Sequence, residues 1–126
     1  MTMTLQQART TVRTVSGLDV IVGLWLIVAP FALGYASVVN ALWNDIIIGA
    51  AVVILAASRE IGEGYKVAWP SWINVLLGLW LIFAPFALGY SSIQNAVWND
   101  ALFGIAIAIL AGWSALSTPH EGVERT

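Results

Sequence analysis

Gly23-Leu-Trp-Leu-Ile-Val-Ala-Pro-Phe-Ala-Leu-Gly-Tyr35 returns as Gly78-Leu-Trp-Leu-Ile-Phe-Ala-Pro-Phe-Ala-Leu-Gly-Tyr90, 55 positions later, with a single Val/Phe exchange. The same gapless offset carries Asn40 onto Asn95, Trp43-Asn44-Asp45 onto Trp98-Asn99-Asp100, and Gly49 onto Gly104. Over residues 16–56 and 71–111, 25 of 41 positions are identical, so the chain is a tandem duplication. Each unit holds two apolar segments, 16–35 and 38–57 in the first, 71–90 and 93–113 in the second. Twenty helical residues rise about 30 Å, the thickness of the hydrocarbon layer. Membrane strands would show strict alternation, which these segments lack. The reading is an all-α bundle of four transmembrane helices. Polar segments flank it at 1–15 and 114–126, and a linker at 58–70 joins repeat 1 (16–57) to repeat 2 (71–113).

Composition excludes the main alternatives. Of the 126 residues, 60% are hydrophobic and 10% charged, against about 25% charged in an ordinary soluble domain. Such a chain cannot cover a water-soluble surface, and it is the inverse of a disordered one. A net charge of −2 with five scattered Lys and Arg residues gives no nucleic-acid footprint, and the absence of cysteine excludes thiolate chemistry. The first segment, with its basic leader, has the look of a signal peptide. Its near-copy lies mid-chain, where no signal peptide can lie, so both are read as permanent spans.

Local chemistry suggests boundaries. Ser16-x-x-Asp19 reads as a capping box, and Ser71-x-x-Asn74 after Pro70 as its weaker counterpart. Arg9, Arg13, Arg59, Lys66 and Arg125 all fall on one side of the four spans, which predicts cytoplasmic termini and linker in a plasma-membrane protein. Trp69, Trp72 and Trp113 fall at that side and Trp43 and Trp98 at the other, as an interfacial belt would. Two spans per unit make both units enter in the same direction, which predicts a pseudo-two-fold axis along the membrane normal.

Three sets of residues are candidates for function. Pro30 and Pro85 interrupt helices 1 and 3 and predict a kink. A second set is the polar cluster Asn40, Asn44 and Asp45 with its copy Asn95, Asn99 and Asp100; Asp45 and Asp100 share a helix stripe with small residues, including Gly49 and Gly104, and with Gly23 and Gly78 these glycines are read as packing positions. Carboxylates there face a helix contact or another subunit, either to bind a proton or cation or, in the favoured reading, as part of a set of Asn and Asp side chains that cap the outer ends of helices 1 and 3 at the Gly34 and Gly89 turns. Trp25 and Trp80 lie near the midplane, where a ring either packs or stacks on a lipophilic cofactor. His120 in the tail has no second ligand, so neither a metal nor a haem is implied, and no catalytic constellation stands out.

The two-helix repeat with a proline in its first helix resembles the SPW-repeat family of small bacterial and archaeal membrane proteins. The motif positions here read Ala29-Pro30-Phe31 and Ala84-Pro85-Phe86, keeping the proline but neither the serine nor the tryptophan. The resemblance implies a four-helix membrane protein without an established activity. The expectation is therefore a non-enzymatic, cofactor-free accessory or scaffold subunit in the lipid bilayer that packs with copies of itself or with other membrane subunits. The alternatives are a small channel or proton-linked transporter using Asp45 and Asp100, and a carrier of a lipophilic cofactor near Trp25 and Trp80.

Overall fold

In the computed structural model, which describes residues 4–119, the chain forms four α-helices. These are α1 (Leu5–Ala32), α2 (Val39–Ser58), α3 (Trp69–Ala87) and α4 (Gln94–Leu116), with a single 3-10 turn at Gly64–Lys66. Each helix is long and apolar enough to cross a membrane.

The first helix begins well before the expected Ser16. Thr4 Oγ1 accepts from the Gln7 amide at 3.1 Å while Gln7 Oε1 accepts from the Thr4 amide at 2.9 Å, a complete capping box. No Gly or Pro interrupts residues 5–15, so the helix started there runs on into the apolar span. Ser16 and Asp19 are consequently buried inside α1 and are not its cap. In α3 the start moves to Trp69 with Pro70 in the first turn, where its missing N–H costs no bond. Ser71 is thereby also internal.

At their other ends α1 and α3 stop at Ala32 and Ala87, short of the tyrosines that closed the expected spans. Gly34 and Gly89 adopt φ 84° and 82°. The Tyr35 amide donates to the Pro30 carbonyl at 2.9 Å, and the Tyr90 amide to the Pro85 carbonyl at 2.8 Å. This is the Schellman closure, for which a left-handed glycine is the natural residue. Pro30 and Pro85 thus lie in the last turn of their helices. Too little helix follows them to act as a hinged arm.

Within each hairpin the helices touch backbone to backbone. A Cβ added to Gly49 would stand 2.7 Å from the Gly23 carbonyl oxygen, and one added to Gly104 would stand 2.6 Å from that of Gly78. The small-residue face is therefore occupied inside the bundle. Across the hairpins, α1 packs on α4 and α2 on α3. Leu26, Ile48, Val52, Leu81 and Ile107 fill the middle as one apolar layer. Outward, the helices present large apolar side chains such as Ile21, Phe31, Ile54, Phe83 and Phe86, all more than 60% exposed. A surface of that kind needs hydrocarbon around it.

Candidate functional site

The site is built at the hairpin end, between the apolar layer and the two glycine turns. The turns deliver Tyr35 and Tyr90 back over the bundle, and the second turns of α2 and α4 deliver Asn44-Asp45 and Asn99-Asp100. Asp45 and Asp100 have no solvent exposure and the two tyrosines 2% each. Within each repeat, the tyrosine hydroxyl donates to the aspartate Oδ2, from Tyr35 to Asp45 at 2.5 Å and from Tyr90 to Asp100 at 2.6 Å. Between repeats the bonds cross over. Asn44 Nδ2 donates to the Tyr90 hydroxyl and Asn99 Nδ2 to the Tyr35 hydroxyl, each at 3.0 Å. Asn44 and Asn99 also reach the neighbouring Asp45 and Asp100 Oδ1 at 3.4 and 3.5 Å.

The indoles of Trp25 and Trp80 complete the crossing. Trp80 Nε1 donates to Asn44 Oδ1 and Trp25 Nε1 to Asn99 Oδ1, both at 2.9 Å. The Trp25 ring lies against Phe103 with centroids 5.9 Å apart. At the rim, Asn40 Nδ2 donates to the Leu88 carbonyl at 2.8 Å and Asn95 Nδ2 to the Leu33 carbonyl at 3.1 Å. Both asparagines are exposed, and each tops the C-terminus of the other repeat's first helix. Every one of these bonds has a counterpart in which both partners move by 55 positions.

The six predicted polar residues and the two tryptophans thus meet in one network, with Asn40 and Asn95 at its edge. Asp45 and Asp100 accept from the tyrosines that follow the glycine turns, so the link from carboxylate to turn runs through a phenol and not through the helix-end carbonyls. Pro30 and Pro85 stand apart: they close the turns that aim the tyrosines. Sequence reasoning missed Tyr35 and Tyr90 as site residues, although their place inside the perfect repeat was the available signal. The two carboxyls are joined through Tyr35 and Asn99 on one side and through Tyr90 and Asn44 on the other, and the chain holds no Lys, Arg or His between residues 14 and 58 or between 67 and 119. Among the described residues no three of His, Asp and Glu gather as a metal site, and His120 lies outside the described residues.

A second polar cluster occupies the opposite, basic end. Arg59, at the end of α2, is fully buried. Its Nη1 donates to the Gly64 carbonyl at 3.2 Å and to that of Val67, and its Nη2 donates to the Ser114 carbonyl at 3.0 Å and to Thr118 Oγ1. Ser114 Oγ also meets Ser16 Oγ at 2.6 Å and Ser71 Oγ at 3.1 Å. Burial pushes the guanidinium down to about 10, still charged at neutral pH. The repeat is broken here: Arg59 faces its own counterpart, Ser114, and Asp19 has become Asn74. A position that differs between otherwise similar units was the sequence signal for this clasp.

Glu60, next in the chain, is half-buried with Oε1 unpaired. Burial raises its pKa above the ordinary carboxylate value, partly offset by Arg13. A raised folded pKa gives stability that is present below the unfolded value and lost as pH rises through the folded one. Glu60→Gln is therefore expected to raise the thermal midpoint in detergent at about pH 8, with the gain closing towards about pH 4. A gain that persists undiminished in acid would contradict this assignment.

No curated protein and no solved structure matches the chain. The model of one family, described as the SPW repeat domain, matches residues 13–114, a stretch that contains most of both hairpins, both glycine turns and the whole crossed network. On that match, which runs from the turn of α1 before Ser16 to the serine that Arg59 grips, the chain belongs to the SPW repeat family.

Proposed function

We propose that this multi-pass protein is a non-enzymatic structural component of the plasma membrane, a scaffold or accessory subunit that self-associates or packs within a larger complex. Both termini lie in the cytoplasm, and the two hairpins are related by a pseudo-two-fold axis along the membrane normal. The observation that carries the reading is the crossed network. Its tyrosines, aspartates, inner asparagines and indoles bind one another across the two repeats, which locks hairpin to hairpin and leaves the outer surface as the part open to partners. The small-residue faces are used internally, so association falls to large side chains such as Phe31, Phe83 and Phe86. Extraction in mild detergent followed by native mass spectrometry tests this. An oligomer or a co-purifying subunit is the expected result, and a lone monodisperse protomer counts against it.

A second reading, proton or cation transport through Asp45 and Asp100, draws on their complete burial in spans that carry no Lys, Arg or His. The apolar layer of Leu26, Ile48, Val52, Leu81 and Ile107 opposes it, since a polar path along the bundle would have to cross that layer. Asp45→Asn with Asp100→Asn separates the two readings. Each asparagine keeps an oxygen to accept from its tyrosine, so the double variant is expected to fold and assemble as the parent does. In liposomes neither form should conduct protons; a flux abolished by the double substitution would favour transport.

A further inference from the structure

Three of the five basic side chains converge on one ring. Tyr65, in the turn between the hairpins, is 6% exposed. The Arg9 and Arg13 Cζ atoms lie 5.8 and 5.4 Å from its centroid and Lys66 Nζ lies 5.8 Å away, within the range of cation–π attraction. Arg13 Nη2 also donates to the Gly62 carbonyl at 2.6 Å, which ties α1 to this turn. Two carboxylates face the group. Glu63 pairs with Lys66 at 3.4 Å, and Glu60 lies near Arg13. Arg9, exposed on α1, has no carboxylate partner among the described residues. The cluster thus holds an excess of positive charge at a fixed place.

Its depth is set by α1. Counting about 20 residues, or about 30 Å, back from Ala32 reaches Arg13. Arg13 therefore stands at the hydrocarbon boundary, and Arg9, one turn further out, at the level of lipid headgroups. Below Arg9 and Arg13 at helical spacing, Ile21, Leu24, Val28 and Phe31 form an exposed apolar stripe. Charged above and apolar below, this face of α1 has the polarity of a phospholipid.

We propose that Arg9, Arg13 and Lys66, gathered on Tyr65, bind the phosphate of an anionic phospholipid in the leaflet at the basic end, its acyl chains lying along the α1 stripe. Guanidinium groups suit the site because they match phosphate oxygens two at a time. Lys66 adds a point charge that the carboxylate of Glu63 only partly offsets.

The test is native mass spectrometry of the full chain in detergent with equal amounts of phosphatidylglycerol and phosphatidylcholine of identical acyl chains. The parent should retain phosphatidylglycerol preferentially. Loss of one basic group near an anionic surface is expected to weaken retention about five-fold, so Arg9→Gln should lose most of the preference and Arg9→Gln with Arg13→Gln nearly all of it. Arg9 is exposed, and an unchanged thermal midpoint for Arg9→Gln in lipid-free detergent will show that the fold is not the cause. Equal retention of the two lipids, or undiminished preference in the Arg9→Gln variant, overturns the proposal. Displacement of phosphatidylglycerol by inorganic phosphate would assign the site to the free anion and overturn it as well.

Discussion

Gly104→Val should leave the chain inserted in the membrane yet unable to close its second hairpin. The Cβ it adds would lie 2.6 Å from the Gly78 carbonyl oxygen and 3.0 Å from Leu81 Cβ. Real Cβ contacts are never so short, and the nearest obstacle is main chain, which cannot rotate aside. The helices must therefore move apart, and the displaced region includes Asp100, one turn along α4, with its bond to Tyr90. Overpacking a tight core costs about 1–3 kcal/mol; here the upper end is expected, because separation also stretches the crossed hydrogen bonds. Valine is apolar, so insertion itself is not impaired. Gly112→Val is the matched control, since its added Cβ meets nothing closer than Val75 Cγ2 at 3.9 Å. Denaturant unfolding in detergent should show a large loss for the first and little for the second; equal losses would refute close backbone packing at the Gly78–Gly104 crossing.

The repeat made most of the architecture legible. A gapless register of 55 positions gave the number of helices, while the small residues at 23, 49, 78 and 104 marked packing positions without telling which would meet which. The expected boundaries failed where short motifs compete. Ser16-x-x-Asp19 and Thr4-x-x-Gln7 have similar capping grammar, and only continuity of helix-compatible residues from 5 onward decides between them. The site was half legible. Aspartate and asparagine stand out in an apolar run because each charge or amide there needs a partner. Their partners do not stand out: a tyrosine after a glycine reads as an interfacial anchor, and no pattern within one repeat tells that Asn44 will reach Tyr90 and not Tyr35. The crossing is a property of how two hairpins meet, which sequence periodicity does not encode. Arg59 was read as a topology signal, yet its buried fan of hydrogen bonds to Gly64, Val67, Ser114 and Thr118 makes it a clasp between α2, the linker and α4.

Asp45→Leu combined with Asp100→Leu should give the opposite outcomes for insertion and for folding, and so separate the two roles of the carboxylates. Leucine has nearly the shape of aspartate's branched end and is far easier to place in lipid. At mid-membrane the difference is about 3 kcal/mol or more per residue on insertion scales, and it is smaller at the depth of these residues. If the bundle required only apolar filling at these positions, the variant would be the more stable protein. The structure argues otherwise. Each aspartate accepts a hydrogen bond from a buried tyrosine hydroxyl at 2.5 or 2.6 Å and a longer one from the side-chain amide of the preceding asparagine. Leucine leaves both tyrosine hydroxyls without an acceptor in a site that water does not reach. A stranded buried donor costs about 1–3 kcal/mol, although hydrogen bonds within membranes have measured nearer 1 kcal/mol because the unfolded chain finds other partners. The pair is therefore expected to lose about 2 kcal/mol or more of bundle stability, while the doubly asparagine-substituted chain, which keeps both acceptors, stays close to the parent. Unfolding in detergent and insertion yield in microsomes give the two readouts. The order parent, then asparagine, then leucine in stability, with leucine first in insertion, is the expected pattern. A leucine variant that matches or exceeds the parent in both would mean that the crossed network is not what holds hairpin to hairpin.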